Sequence, residues 1–204
     1  MLEKYRILQA SGLVVFNRRI IASLFGVSYA STNPILHRLT KAGILTKLKR
    51  DCYVLTDRAQ ESTKKIANEL VKPSYVSLWT ALSDAGATTQ VPRVVQSVTP
   101  KRSCTIENAA LPAFQYIHLP EKLFFGFAPD AEGVFRAEPE KALLDLLYVQ
   151  RGKMDAGSIR QKTLRRSTLE EYARAFPRWV GRALSSSFPP PPEASPLLRR
   201  IPQP

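Results

Sequence analysis

The sequence has few of the residues that bind metals or form disulfides. It contains two cysteines, Cys52 and Cys104, and two histidines, His37 and His118. The cysteines are isolated and far apart, which argues against a thiolate metal cluster and a disulfide framework, so we expect reduced thiols. The histidines fall in different halves of the chain, which argues against a shared metal or general-base site. We therefore predict no metal and no cofactor.

Long apolar runs and targeting signals are also missing. No stretch of about 18 uninterrupted apolar residues occurs, and the opening MLEKYRILQASGLVVF lacks a basic region followed by an apolar stretch and a small-residue cleavage site. These absences predict a cytoplasmic protein with no membrane partner. Neither a serine in a nucleophile elbow nor a glycine-rich loop with phosphate-binding spacing is present. We therefore expect that the chain is not an enzyme.

The sequence does have a large and unevenly distributed positive charge, with a formal net charge of +13. Residues 1–72 carry 13 basic and 5 acidic residues, residues 73–157 carry 8 and 9, and residues 158–204 carry 9 and 3. Basic ends around a neutral middle favour a polyanionic partner, with nucleic acid ahead of a membrane surface. On charge alone, a solvated basic surface is an equally good explanation.

Residues 1–57 have a pattern typical of a winged helix-turn-helix DNA-binding domain. A short helical stripe is followed by Asn17, which can cap a second helix, and by Gly26, which allows a tight turn. Ser28 can cap a third helix. The segment ILTKLKRDCYVLT then has β-branched and aromatic residues on both sides of a polar tip, as a β-hairpin does. The third helix is predicted to face inward through Thr32, Leu36 and Leu39.

In a helix-turn-helix the second of the paired helices lies in the major groove. The predicted DNA-binding residues are Ser28, Tyr29, Ser31, Asn33, Pro34, His37, Arg38 and Lys41 on this helix and its start, and Lys47, Lys49 and Arg50 at the hairpin tip. Asn33 suits an adenine edge and Pro34 a thymine methyl group, and the hairpin cations suit phosphates, although Asp51 opposes them locally. The alternative is a structural three-helix unit whose polar face contacts only water.

Pro34 raises a question about where that helix begins. A proline deep inside a helix costs about 3 kcal/mol, because it removes a backbone hydrogen bond and crowds the preceding turn. Two arrangements avoid this cost. Either the segment starts irregularly, or it restarts with Asn33 as a cap and Pro34 in the first position.

The whole chain is predicted to be an α+β protein, with the winged helix-turn-helix followed by a mixed α+β C-terminal domain. Residues 58–72 are interpreted as a polar helix or linker, residues 73–184 as the second domain, and residues 185–204 as a Pro-rich tail that is extended or disordered. In the second domain, SLWTALSDAG and PEKALLDLLYVQRG are predicted helices, and VVQSVTP, FQYIHL, LFFGF and GVFRA are strand-like. Ser167 and Glu170 fit a capping box, and Pro177 is expected to divide the last helical region.

The sequence resembles the AbiEi family, the AbiE-type abortive-infection antitoxins of bacteria. The resemblance rests on KAGILTKLKRDCYVLT, YVSLWTALSDAGATTQVPRVVQSVTPKRS, FQYIHL and RAEPEKALLDLLY, and covers roughly residues 5 to 182. It implies an antitoxin of a type IV toxin–antitoxin system that takes part in phage defence. Such a protein represses its own promoter at repeated operator sequences in double-stranded DNA and counters a nucleotidyltransferase-like toxin without forming a stable complex with it.

Three further readings stay open. The basic residues Lys101, Arg102, Arg160, Lys162, Arg165 and Arg166 extend the DNA footprint, contact the toxin or form a solvated face. The chain is alternatively a plain transcriptional regulator or a protein-interaction module without a toxin partner. A Mg²⁺-dependent nuclease is less favoured, because in PDAEGVFRAEPEK Pro139 stands where the pattern beginning at Asp130 requires an acid.

Overall fold

The computed structural model describes residues 1–60 and 63–188, and its mixture of helices and sheets confirms the predicted α+β class. The helices are α1 (Leu2–Ala10), α2 (Arg18–Phe25), α3 (Thr32–Lys41), α4 (Thr63–Leu70), α5 (Leu78–Asp84), α6 (Pro139–Val149), α7 (Arg166–Ala173) and α8 (Arg178–Ser187). The strands are β1 (Val15–Phe16), β2 (Leu45–Lys49), β3 (Cys52–Leu55), β4 (Tyr75–Val76), β5 (Val95–Thr99), β6 (Cys104–Ile106), β7 (Phe114–His118), β8 (Phe127–Pro129) and β9 (Phe135–Ala137). Within these ranges, none of the helices is long and apolar enough to cross a membrane.

The N-terminal unit packs α1, α2 and α3 against a small antiparallel sheet in the order β1-β3-β2. Helix α2 begins where the Asn17 side chain accepts a hydrogen bond of 2.9 Å from the backbone N–H of Ile20. It ends at Gly26, whose φ of 60° lies in the left-handed region that glycine adopts without a steric penalty. The buried core of this unit is formed by Leu8, Phe16, Ile21, Ile35, Leu36, Leu39, Leu45 and Leu55. That this unit is a winged helix-turn-helix stays a prediction.

The second unit is built around a six-stranded sheet in the order β6-β7-β5-β4-β9-β8. The pairs β5–β7 and β4–β9 are parallel and the other neighbours are antiparallel. Helices α5, α6, α7 and α8 share one apolar core with this sheet, in which Leu82, Leu143, Leu147 and Val180 are fully buried. Three strands of this sheet were predicted poorly from the sequence. The interior strand β4 and the edge strand β6 were missed, and the segment LFFGF lies mainly before the edge strand β8.

The segment 58–72 does more than link the two units, because α4 packs between them. Ile66, Ala67 and Leu70 belong to one buried cluster with side chains of both units. The hairpin supplies Leu48, Cys52 and Val54 to this cluster, and the second sheet supplies Val95, Phe114 and Tyr116. The Tyr116 hydroxyl also donates a hydrogen bond of 2.6 Å to the Ala67 carbonyl. The β2–β3 hairpin is therefore buried on both faces, against α1–α3 on one and against α4 on the other.

The last helix extends past residue 184, the predicted boundary of the second domain. Helix α8 continues to Ser187, and Phe188 is buried. Residues 189–204 of the predicted tail lie outside the described residues. Pro177 separates α7 from α8, as predicted. The capping box was wrong: α7 already begins at Arg166, so Ser167 lies inside the helix, and no side chain caps its start.

A buried ion pair joins α6 to the β4–α5 segment. Lys141 contacts the Asp145 carboxylate one helical turn away, and both side chains have 0% exposure. The Tyr75 hydroxyl and the Ser77 hydroxyl donate to the same carboxylate at 2.9 Å and 2.8 Å. Burial lowers the pKa of Lys141 and raises that of Asp145, while the charge of each partner opposes the shift.

Candidate nucleic-acid interface

The start of α3 resolves the question posed by Pro34. A 3-10 turn at Tyr29–Ser31 precedes the helix, and the Ser28 hydroxyl accepts the Ser31 N–H at 3.3 Å. Helix α3 follows directly at Thr32, which makes Pro34 its third residue and leaves Asn33 inside the helix. The irregular start is therefore the arrangement observed. In the first turn of a helix an amide N–H has no intrahelical partner, so Pro34 removes no helical hydrogen bond.

Helix α3 presents two chemically distinct faces. Thr32, Leu36 and Leu39 face inward as expected, with Ile35 beside them. The opposite face is exposed to solvent and is not covered by the second unit. It carries the predicted residues Ser28, Tyr29, Ser31, Asn33, Pro34, His37, Arg38 and Lys41. The structure thus brings eight of the predicted contact residues together on one accessible surface.

Arg18 joins the starts of α2 and α3 to the turn of the hairpin. Its guanidinium lies 4.5 Å from the centroid of the Tyr29 ring. Its Nε lies 3.5 Å from the Asp51 carboxylate, which also accepts the Arg18 backbone N–H at 2.9 Å. Asp51 therefore lies at the positive end of α2, where a carboxylate is favourable. The negative charge expected to oppose the hairpin cations is largely offset by Arg18.

The three hairpin cations are arranged differently from one another. Lys47 and Arg50 are exposed, on β2 and in the two-residue turn that follows. The ammonium group of Lys49 instead donates a hydrogen bond of 2.8 Å to the Leu70 carbonyl, at the C-terminal end of α4. This contact uses the negative end of a helix to hold a cation. In the free protein Lys49 is therefore directed to α4 and away from the surface shared by Lys47 and Arg50.

Sequence reasoning missed two cations beside this surface. Arg18 and Arg19 open α2, with Arg18 half-buried against Tyr29 and Arg19 exposed. The basic pair directly after the Asn17 cap was the available signal. The surface formed by Arg18, Arg19, Tyr29, Asn33, Pro34, His37, Arg38, Lys41, Lys47 and Arg50 is called the basic face below.

The predicted additional basic residues lie in the second unit, in two groups. Lys101 and Arg102 are exposed between β5 and β6, and Arg160 and Lys162 are exposed between α6 and α7. Arg165 is bound to Glu138 at 2.8 Å and to Glu140 at 3.1 Å, and Arg166 is bound to Glu170 at 2.8 Å. These last two arginines hold the start of α7, which lowers their availability for a phosphate partner.

The acidic and lysine residues that suggested a nuclease have structural roles. The Asp130 carboxylate accepts the N–H groups of Glu132 and Val134, both at 2.9 Å, and binds Arg136 at 2.9 Å. Lys141 is buried in the ion pair described above. Across residues 1–60 and 63–188, no group of three or more His, Cys, Asp or Glu side chains is placed to hold a metal ion.

Comparison with known proteins adds a likeness of fold. No family model matches the sequence, and no curated protein matches it. Among solved structures, the crystal structure of the RV2827C protein from Mycobacterium tuberculosis resembles this one with a TM-score of 0.57. The match covers 90% of this chain and 74% of that chain, at 12% sequence identity. At this identity the likeness concerns the fold alone.

Proposed function

We propose that this chain is a sequence-specific DNA-binding transcriptional repressor that also acts as an antitoxin. In this proposal residues 1–57 form a winged helix-turn-helix, with α3 in the major groove and the β2–β3 turn along the flanking backbone. The observation that carries it is the basic face: one side of α3 fills the core, while the other, flanked by the cations of α2 and of the hairpin, is free of the second unit.

The chemistry of the basic face is better explained by contact with duplex DNA than by exposure to water alone. Asn33 can pair with an adenine edge in the groove. Arg38 and Lys41 follow on the same side of α3, where phosphates flank the groove. Arg50 lies at the hairpin turn, beyond the α3 contacts. A surface with a central amide and peripheral cations matches the usual division between base contacts and phosphate contacts.

DNA titration tests the proposal. Fluorescence anisotropy with duplex from the region upstream of the chain's own gene is expected to show sequence preference and a steep loss of affinity with salt. Arg38→Ala and Lys41→Ala should each weaken binding and reduce the slope of log K against log salt by about 0.9, the value for one phosphate contact. Asn33→Ala should reduce preference for the specific site by about 1–3 kcal/mol.

The matched control is Arg174→Ala, which removes one exposed cation directly after α7 in the second unit. Its salt slope should equal that of the wild type. Equal losses for Arg38→Ala and Arg174→Ala would show attraction by overall charge, and the proposed basic face would then be wrong. Unchanged affinity in Arg38→Ala, Lys41→Ala and Arg50→Ala would also show that the proposed basic face is wrong.

The antitoxin role rests on the AbiEi resemblance of the second unit and needs its own test. A nucleotidyltransferase-like toxin encoded beside this chain is expected to arrest growth, and co-expression of the full chain should restore it. A chain with Arg38→Ala and Lys41→Ala should still restore growth under an unrelated promoter, because repression and neutralisation are assigned to different units. If no adjacent toxin exists, the plain regulator becomes the better description.

A further inference from the structure

A second feature of the fold is an aromatic cavity that lies on the far side of α4 from the hairpin. Its volume is about 500 Å³, within the range of small-molecule sites. Phe124, Phe127 and Phe135 form its aromatic side, with ring centroids 4.9 Å apart for the first pair and 6.2 Å for Phe127 and Phe135. Phe135 is 43% exposed although it is a large apolar side chain. The cavity therefore offers accessible aromatic surface to a ligand.

The rest of the cavity lining includes three charged residues, Lys65, Lys72 and Glu69. Lys72 is paired with Glu69 at 2.7 Å, which leaves the positive charge of Lys65 in excess. Ser74 also lines the cavity; this residue is 7% exposed, and its hydroxyl has no hydrogen-bond partner within the described residues. A buried hydroxyl without a partner is unfavourable unless a bound group satisfies it. Aromatic walls, one lysine without an acidic partner among the described residues and a hydroxyl without a hydrogen-bond partner together suit a flat ring that bears one negative group.

Helix α4 separates this cavity from the hairpin and contacts both. Lys65, Asn68 and Glu69 line the cavity, while Ile66 and Leu70 pack in the cluster that contains the hairpin. The Asn68 side chain accepts the Phe135 N–H at 2.7 Å, which ties α4 to β9 at the cavity wall. At the C-terminal end of α4, the Leu70 carbonyl accepts a hydrogen bond of 2.8 Å from the ammonium group of Lys49. Helix α4 thus connects the cavity wall directly to β2.

We propose that this cavity binds a small planar aromatic anion and that its occupancy alters the β2–β3 hairpin through α4. The ring lies against Phe127 and Phe135, and its charged group faces Lys65. The Lys49–Leu70 hydrogen bond is the connection between the occupied cavity and the hairpin. The effect on DNA affinity rests on the function proposed above, whereas the site and its coupling to the hairpin are independent of it.

Binding to the full chain is tested with two probes that differ only by a sulfonate group, anionic 8-anilino-1-naphthalenesulfonate and neutral N-phenyl-1-naphthylamine. We expect one sulfonate probe per chain. Phe135→Ala should weaken both probes about tenfold or more, since it removes an aromatic wall, and Lys65→Gln should weaken only the sulfonate. Val91→Ala is the matched control, because Val91 is an apolar residue that is 82% exposed elsewhere. Binding that is insensitive to Phe135→Ala, or equally sensitive to Val91→Ala, would overturn the site.

Coupling is tested by amide hydrogen exchange with the sulfonate probe at saturation. Protection should change in Thr63–Leu70 and in the hairpin, and Lys49→Met should abolish the hairpin response while probe affinity is retained. An unchanged hairpin in the saturated wild type would overturn the coupling. Measuring DNA affinity with and without saturating sulfonate probe separates this inference from the proposed function. A chain that binds no DNA but responds in the exchange experiment refutes only the DNA-binding role, and DNA affinity that ignores a confirmed hairpin response refutes the effector role.

Discussion

The ammonium group of Lys141 lies 2.8 Å from the Tyr75 hydroxyl, and both residues have 0% exposure. This contact brings together two segments that are far apart in the sequence, the strand β4 and the helix α6. The same ammonium lies 5.0 Å from the Phe125 ring centroid and 5.2 Å from that of Phe176. The cation is thus surrounded by aromatic faces and one carboxylate, which compensate for the loss of water.

Removal of one partner of this pair is expected to destabilise the second unit strongly. Lys141→Met leaves the Asp145 carboxylate buried without its cation, at a cost of about 3–5 kcal/mol. The double change Lys141→Met with Asp145→Leu should recover a large part of this loss, because no charge then stays buried. Urea unfolding measures both variants. Lys153→Met, at an exposed lysine just after α6, is the control and should leave the urea midpoint unchanged. If Lys141→Met also left the urea midpoint unchanged, the stabilising role of the pair would be contradicted.

Asp51→Asn is expected to strengthen DNA binding. The amide keeps the side-chain oxygen that accepts the Arg18 N–H, but it removes the negative charge beside Arg50. An exposed charge of this kind is worth up to about 1 kcal/mol, so affinity should rise about two- to fivefold. The control is Asp57→Asn, at an exposed carboxylate that accepts a hydrogen bond from Tyr5 and does not belong to the basic face. If Asp51→Asn and Asp57→Asn raised DNA affinity equally, the gain would reflect net charge alone.

Pro34→Ala is expected to have a small effect on stability. Because Pro34 is the third residue of α3, it interrupts no helical hydrogen bond. Its rigid ring restricts the unfolded chain, so alanine should lower stability by about 0.4–1 kcal/mol. Thermal unfolding measures the change. A stabilisation near 3 kcal/mol would instead show that the proline lies inside an established helix, and the irregular start of α3 would be wrong.

The stability of the second unit should fall at acid pH through Glu140. Burial by itself raises the pKa of this carboxyl, but the side-chain and backbone hydrogen bonds from Arg165 outweigh it and lower the pKa below its ordinary value. A lowered native pKa contributes stability that is present above the unfolded pKa of about 4.3 and is lost as pH falls through the native value. Urea midpoints of the wild type and of Glu140→Gln should therefore differ at pH 7 and converge at lower pH. A constant difference across this range would contradict the assignment.

Local patterns predicted the elements that depend on neighbours in the sequence. The inward stripe of α3, the Asn17 cap and the hairpin with its turn at Arg50 all follow from short-range preferences, and the structure has each of them. The same reasoning failed at Ser167, because the start of α7 is determined by the contacts of Arg165 with two glutamates of the α6 region. A partner that is distant in sequence overrode a favourable local motif.

The role of each basic residue was less predictable than the elements that carry it. Lys47 and Lys49 are equivalent in a strand pattern, yet a register shift separates them and only Lys49 reaches the Leu70 carbonyl. The sequence indicates only that Arg18 lies in the first turn of a helix. The fold places it between Tyr29 and Asp51. Which cations stay available depends on backbone carbonyls and carboxylates from other elements. No sequence window around a lysine contains those partners.

The sharing of the hairpin between two cores has a consequence for dissecting the protein. A fragment cut after residue 57 would expose Leu48, Cys52 and Val54, whose partners lie on α4 and the second sheet. Such a fragment is expected to aggregate or to lose its hairpin, and a failed DNA assay with it would say little about the intact chain. A fragment that retains α4 keeps part of this cover but presents Ile66 and Ala67 to water. The first seventy residues are therefore an integral part of a larger cooperative structure, and the N-terminal unit and the second unit are expected to unfold in a single transition.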